Sequence, residues 1–124
     1  MKILVVEDNK DFSALLTVII KMAIKDADIS YAETCSDAIP KIEYADLIIS
    51  DFNFPTGGFP AILPVLQKEN RPFILQSSCP SCVKLYDSNL QVASLCKNQL
   101  FTCNLIDLLK ELNNRFISTG HIRP

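Results

Sequence analysis

Polar side chains that could do chemistry follow four of the chain's five short apolar runs. They are Glu7 and Asp8 after the first run, Asp51 and Asn53 after the third, Ser77 and Ser78 after the fourth, and Lys97 after the fifth. A charge at the end of an apolar strand is costly unless it is solvated, paired or used. Because the carboxyl ends of parallel strands meet at one edge of an open α/β sheet, we expect these side chains to lie together.

Three carboxylates, those of Glu7, Asp8 and Asp51, would repel one another at such an edge. A hard divalent cation relieves that repulsion, and an oxygen-only ligand set favours Mg²⁺ over zinc. Hydroxyl groups and an ammonium nearby suit a phosphoryl group, and an aspartate can be the nucleophile that forms an acyl phosphate. These residue types predict that Asp51 is a phosphoryl acceptor.

The elements that would position these residues alternate between two kinds. The runs that predict strands are Ile3–Val6, Ile29–Ala32, Leu47–Ser50, Phe73–Gln76 and Ala93–Cys96. Near-continuous apolar runs are typical of strands covered on both faces. Between and after them lie five helical segments. The pattern predicts an α/β fold, a three-layer (βα)5 doubly wound parallel sheet.

Helical spacing predicts which residues face the sheet. The first helix should begin after a cap at Asn9, the second after Ser36, the third near Pro60, the weak fourth near Ser81, and the last near Phe101 with Thr102 or Asn104 as its cap. The predicted inner faces are Phe12, Leu15, Leu16, Ile19 and Met22 or Ala23 in the first helix, Ala38, Ile39 and Ile42 in the second, and Leu105, Leu108, Leu109, Leu112 and Phe116 in the last.

Length and composition limit the function classes. The chain has 124 residues, 48% of them apolar, and a net charge of −2. We expect one domain over residues 1–116 and a frayed tail over 117–124. The charge gives no basic footprint, so direct nucleic-acid binding is not expected. We expect no signal peptide or membrane span, because the N-terminal apolar stretch is too short for either, and five cysteines in such a chain favour reduced thiols. We therefore expect a cytoplasmic protein with no membrane contact.

Four motifs resemble the receiver domain of bacterial two-component response regulators. "ILVVEDN" is similar to that family's acidic-pair strand, and "ADLIISDFNFP" to its phosphorylated strand and turn. "PFILQSS" is similar to its hydroxyl-bearing strand, and "LCKNQL" to its lysine strand. The resemblance extends from Lys2 to about Phe116, and its specificity comes from the order and spacing of the four motifs.

The resemblance implies a role for each matching residue. Asp51 would carry the phosphoryl group, and Mg²⁺ would be held by Glu7, Asp8, Asp51 and the backbone carbonyl of Asn53. Ser77, with Ser78 beside it, would bind the phosphoryl group, and Lys97 would pair with it. The resemblance also implies the flavodoxin-like sheet order 2-1-3-4-5. The phosphodonor would be a sensor histidine kinase or a phosphotransfer protein, and the output partner is unknown. The face formed by the fourth helix, fifth strand and last helix is a candidate homodimer interface. Such a chain is not a conventional enzyme.

The sequence departs from that family at two positions near Lys97. Asn98 stands where the family has a proline after a cis bond, which predicts either a trans bond that shifts Lys97 or a strained cis bond. Ser94 stands at the position of the aromatic switch residue, for which Tyr86 or Phe101 would have to substitute.

Three other functional interpretations remain open from the residues. The chain could be a receiver that acts as a phosphate-independent protein-interaction module, as Ser94 and Asn98 suggest. The strand-end groups could be solvated polar residues without a function. The "CPSC" segment, Cys79 to Cys82, could be a thiol redox pair at a helix start, although small apolar filling is the simpler interpretation.

Overall fold

Five strands form one parallel sheet in the computed structural model, which describes residues 1–78 and 90–122. The strands are β1 (Lys2–Val6), β2 (Asp28–Ala32), β3 (Leu47–Asp51), β4 (Phe73–Ser77) and β5 (Gln91–Cys96). Their spatial order is β2-β1-β3-β4-β5, and every neighbouring pair is parallel. The predicted fold class and sheet order are confirmed.

Four helices connect or follow these strands in the described part of the chain. They are α1 (Lys10–Ala23), α2 (Cys35–Ile42), α3 (Gly58–Glu69) and α4 (Phe101–Thr119). Apart from Leu90, the predicted fourth helical segment lies outside the described residues. Among the described helices, none has the length and apolar character needed to cross a bilayer.

The sheet separates two apolar cores, which makes the fold three-layered. Ile3 and Val5 of β1 pack with residues of α1 and α4 on one face. Leu4 and Val6 point to the other face, where residues of α2 and α3 cover them. Because successive strand residues point to opposite faces, both sets must be apolar. This double coverage explains the continuous apolar runs in the sequence.

The predicted cap of the first helix is confirmed, and that of the second is wrong. Asn9 caps α1, and its side-chain oxygen accepts a hydrogen bond from Phe12 N over 3.0 Å. Thr34, not Ser36, caps α2 by accepting one from Asp37 N over 3.1 Å. Both residue types are good caps, so the sequence alone does not decide between them. The structure does, because Thr34 has the extended backbone typical of a cap residue.

The last helix begins without a side-chain cap of its own. Its flanking residue is Leu100, so the predicted caps Thr102 and Asn104 are wrong. Asn98 organises the turn before it, since its side-chain oxygen accepts from Leu100 N over 2.9 Å and its carbonyl from Phe101 N over 3.0 Å.

The apolar face of α1 is centred differently from the prediction. Leu16, Ile19 and Ile20 are buried, whereas Leu15 is 43% exposed and Met22 is 64% exposed. Apolar residues occur on several sides of this helix, so their spacing does not determine which of them form the centre of the buried stripe. In α2, Ile39 is exposed for the same reason, and Ala38 and Ile42 are buried as predicted.

A tight turn carries the chain from β3 into α3 through three residues with positive φ. Thr56, Gly57 and Gly58 have φ values of 69°, 117° and 66°. A Cβ atom on Gly58 would lie 2.8 Å from the carbonyl oxygen of Phe52, so this glycine lets two backbone segments approach. The turn therefore fixes where α3 begins relative to the end of β3.

The predicted end of the last helix at Phe116 is wrong. Helix α4 continues to Thr119, where Gly120 adopts φ 79° and donates its N–H to the carbonyl of Phe116 over 2.7 Å. Ile122 then folds back and is only 3% exposed, among the residues of the α1 and α4 core. Up to Ile122, the predicted frayed tail is therefore an ordered part of the packing.

We expect Ile122→Ala to lower the free energy of unfolding by about 2 kcal/mol or more, because it removes buried apolar contacts. Ile117→Ala is the matched control, since Ile117 is 73% exposed and its truncation should change little. Chemical denaturation of both variants measures the difference. Equal stabilities would show that the end of the chain does not pack on the core.

Candidate functional site

Glu7, Asp51 and Lys97 meet at the carboxyl edge of the sheet. Val6 pairs with Ser50, so the next residues, Glu7 and Asp51, stand side by side at the ends of adjacent strands. Strand alternation directs both toward the face covered by α1 and α4. Lys97 follows β5, and its Nζ lies 2.9 Å from Glu7 Oε1 and 3.3 Å from Asp51 Oδ1.

Asp8 completes a cluster of three carboxylates. Glu7, Asp8 and Asp51 each offer an oxygen, and these oxygens lie within 4.8 Å of one another. Glu7 is buried, Asp51 is half-buried and Asp8 is exposed, so the cluster opens to solvent on one side. Carboxylate oxygens at this spacing fit a hard divalent cation such as Mg²⁺.

Burial raises the pKa of the Glu7 carboxyl above its ordinary value. The hydrogen bond and the charge of Lys97 oppose this rise, as does Asn9 N–H, which lies 3.4 Å from Oε2, whereas the nearby charge of Asp51 adds to it. Desolvation and like charge together therefore outweigh the ammonium. The site carries more negative charge than one lysine balances.

The two oxygens of Asp51 are not equivalent. Oδ1 accepts a hydrogen bond from Phe52 N over 2.9 Å and also faces the Lys97 ammonium. Both contacts with described residues fall on this oxygen. The other oxygen, Oδ2, has no hydrogen bond or ion pair with a described residue.

The Lys97 ammonium reaches both carboxylates although no proline follows this residue. No cis peptide bond occurs in the described residues, so the bond to Asn98 is trans, yet the ammonium still reaches both carboxylates. The Lys97 N–H donates to the Ser77 carbonyl over 2.8 Å, which anchors the end of β5 on β4. Its Nζ also lies 4.1 Å from the ring centroid of Phe12.

Asn53 and the two serines surround this cluster at different depths. Asn53 and Asp8 line the same cavity of about 460 Å³ beside the turn after β3. Ser77 is buried at the end of β4, and Ser78 is exposed. Among the described residues, neither serine hydroxyl bonds to Asp51. The predicted roles of these three residues stay predictions.

The position of the aromatic switch holds a hydrogen-bonded serine. The hydroxyl of Ser94 accepts a hydrogen bond from the side-chain amide of Gln91 within β5. Phe101 is buried against Phe12, at 5.4 Å between ring centroids. Tyr86, Cys79 and Cys82 lie outside the described residues, so the redox interpretation stays a prediction.

Two residues lie near the site although the sequence did not predict them to be part of it. Phe12 was assigned only to a helix face, although it lies one turn after Asp8 and so faces the strand ends. Gln76 pairs with Asp51 in the sheet and is fully buried, and neither of its side-chain amide atoms has a hydrogen-bond partner among residues 1–78 and 90–122. A glutamine ending the apolar run "FILQ" was the available signal.

We expect Gln76→Met to raise the free energy of unfolding by roughly 1–3 kcal/mol, because a buried amide without partners is costly. The exposed residue Gln99 gives the control Gln99→Met, which should be nearly neutral. Chemical denaturation in Mg²⁺-free buffer compares the two. A loss of stability in Gln76→Met would mean that the amide is satisfied in solution.

The raised pKa of Glu7 predicts a specific pH dependence of stability. Between the ordinary and the raised pKa, the folded protein holds a proton that the unfolded chain has lost, so this contribution to stability falls as pH rises through that interval. We expect Glu7→Gln to remove that part of the fall, and the exposed control Glu43→Gln to keep it. Denaturation at a series of pH values measures it. An unchanged profile in Glu7→Gln would contradict the assignment.

Comparisons with known proteins give structural matches only. No family model matches the sequence, and no curated protein matches it significantly. The fold is similar to that of a sensor protein from Polaromonas sp. JS666, with a TM-score of 0.70, 18% identity, and coverage of 87% of this chain and 91% of that one.

Two further similar structures are named as a signal receiver domain and as a response regulator. The signal receiver domain of a Luxo repressor protein from Vibrio parahaemolyticus has a TM-score of 0.63 and 24% identity, over 97% of this chain and 98% of that one. The phosphorylated cyanobacterial phytochrome response regulator RcpA has a TM-score of 0.64 and 15% identity, over 99% and 97%. The chain therefore has the fold of response-regulator receiver domains.

Proposed function

We propose that this chain is a phosphoacceptor receiver of a histidine-to-aspartate phosphorelay, in which Mg²⁺-dependent phosphorylation of Asp51 switches partner binding. The observation that carries the proposal is the Lys97 ammonium, which lies 2.9 Å from Glu7 and 3.3 Å from Asp51 within a three-carboxylate cluster. The similarity to a structure named as a phosphorylated response regulator supports the same assignment.

The proposed reaction is transfer of a phosphoryl group to the Oδ2 atom of Asp51. This oxygen attacks the phosphorus, and a new O–P bond forms as the donor's P–N or P–O bond breaks. The leaving nitrogen of a phosphohistidine, or the leaving oxygen of an acyl phosphate, keeps the electron pair. The product is an aspartyl phosphate on β3.

The residues of the site fit an ion that the structure does not contain. Carboxylate oxygens of Glu7, Asp8 and Asp51, with the Asn53 carbonyl, would hold Mg²⁺, and the bound ion would offset negative charge on the transferred phosphoryl group. Lys97 would pair with a phosphoryl oxygen, and Ser77, with Ser78 next to it, would donate a hydrogen bond to another.

Partner binding would change because the phosphoryl group competes for Lys97. Its ammonium now bridges Glu7 and Asp51, and its backbone N–H is bonded to Ser77. Movement of these groups toward a phosphoryl group would shift the equilibrium of the loops after β4 and β5. The phosphodonor would be a histidine kinase or phosphotransfer protein. The chain would act as a substrate and switch, and not as a conventional enzyme.

We expect the protein to gain one phosphoryl mass after incubation with acetyl phosphate and Mg²⁺, as measured by intact-protein mass spectrometry. Asp51→Asn should gain none, because the nucleophilic oxygen is lost. The exposed Asp28 lies at the start of β2, so Asp28→Asn should behave as the parent. Omission of Mg²⁺ should suppress the gain in the parent and in Asp28→Asn.

One observation favours a second candidate function, a phosphate-independent protein-interaction module. Ser94 bonds to Gln91 where an aromatic switch residue is expected from the resemblance, so the usual output signal is missing at that position. A parent protein that takes up no phosphoryl group and shows no Mg²⁺-dependent amide shifts at Glu7, Asp8 and Asp51 would favour this function over phosphorylation.

A further inference from the structure

Among the described residues, the ammonium of Lys97 has three neighbours, one of which is an aromatic ring. Its Nζ donates a hydrogen bond to Glu7 Oε1 over 2.9 Å and lies 3.3 Å from Asp51 Oδ1. The Phe12 ring covers it from α1, with the centroid 4.1 Å from Nζ.

We propose that Phe12 is a positioning residue for Lys97, which holds the ammonium beside Asp51 through a cation–π interaction. The ring restrains the ammonium itself from the side of α1, whereas the turn at Asn98 restrains only the backbone after Lys97. The effect on phosphorylation rests on the proposed function, whereas the contact itself can be tested without any phosphodonor.

The ring can hold Lys97 because it is itself fixed from two sides. The backbone N–H of Phe12 is bonded to the capping Asn9 over 3.0 Å, which sets the first turn of α1. The ring of Phe101, at the start of α4, lies 5.4 Å away with an interplanar angle of 51°. The start of α4 is in turn tied to Asn98, the residue after Lys97, by the bond from Phe101 N to its carbonyl.

An aromatic ring is a suitable partner for a lysine that exchanges one anionic group for another. A lysine side chain is flexible and loses rotamer entropy when it is held in one place. The face of Phe12 attracts the ammonium without competing for a fixed hydrogen-bond direction. Lys97 can therefore turn from Glu7 toward a phosphoryl group on Asp51 while the ring keeps it at the site.

The alternative role for Phe12 is apolar packing alone, and substitutions separate the two. Phe12→Leu and Phe12→Met keep an apolar side chain but remove the ring. Phe12→Tyr keeps the ring. Val18→Ala is the control, since Val18 is an exposed residue of the same helix. Thermal melts identify any variant that fails to fold. If one of the two apolar variants fails, the other still tests the loss of the ring.

The first measurement is the proton shift of the Lys97 Cε group by NMR in the absence of any phosphodonor. A ring over the ammonium should move this signal upfield in the parent, Phe12→Tyr and Val18→Ala, and the displacement should disappear in Phe12→Leu and Phe12→Met. An ordinary lysine shift in the parent would overturn the proposed contact.

The second measurement is the initial rate of phosphorylation by acetyl phosphate with Mg²⁺. We expect Phe12→Leu and Phe12→Met to be about two- to fivefold slower than the parent, and Phe12→Tyr to retain its rate. Parent rates in the two apolar variants would overturn the positioning role. A parent that shows the upfield shift but takes up no phosphoryl group would instead overturn the proposed function, and with it the catalytic consequence of the contact.

Discussion

The whole site depends on one electrostatic constraint, which is that two carboxylates stand side by side at the ends of adjacent parallel strands. The register of β1 on β3 places Glu7 beside Asp51, and strand alternation turns both to the same face. A slip of one residue in either strand would send its carboxylate to the other face. The Lys97 ammonium, which lies within 3.3 Å of both, offsets part of the repulsion between them.

Several features of the fold place that ammonium beside the two carboxylates. Lys97 follows β5, which is separated from β1 by β3 and β4, so its side chain must pass the ends of both strands to reach Glu7. The bond from its N–H to Ser77 fixes where the crossing starts, and the turn organised by Asn98 leads the chain into α4. The aromatic contact with Phe12 then limits where the flexible side chain ends.

Strand positions were predictable from the sequence because burial on both faces demands continuous apolar runs, and the strand ends followed from the first polar residue after each run. The clustering of Glu7, Asp8, Asp51 and Lys97 was predictable for the same topological reason, and the sheet order came from the family resemblance. Helix faces were less predictable. Leu15 and Met22 have the right spacing but lie at the exposed margin, since only the packing partner decides where an apolar stripe is centred.

Residues far apart in the chain were the hardest to predict. Ile122 is buried because α4 ends at Gly120 and the chain turns back, which no local pattern near Phe116 indicates. Phe12 and Lys97 are 85 positions apart in the sequence. Their contact forms only when α1 packs against the sheet that contains β5. Local spacing reports which face a residue takes, and it does not report which distant side chain it meets there.

Charge balance explains why such a site would respond to ligands. Three carboxylates and one ammonium leave a net charge of −2 when all are ionised, and the pKa of Glu7 is raised first by its burial and then by the nearby charge of Asp51. A single divalent cation would neutralise that charge. A phosphoryl group on Asp51 would then add negative charge again and compete with Glu7 for the Lys97 ammonium. The resting ion pair is thus both the stabilising element of the site and the contact that phosphorylation would have to break.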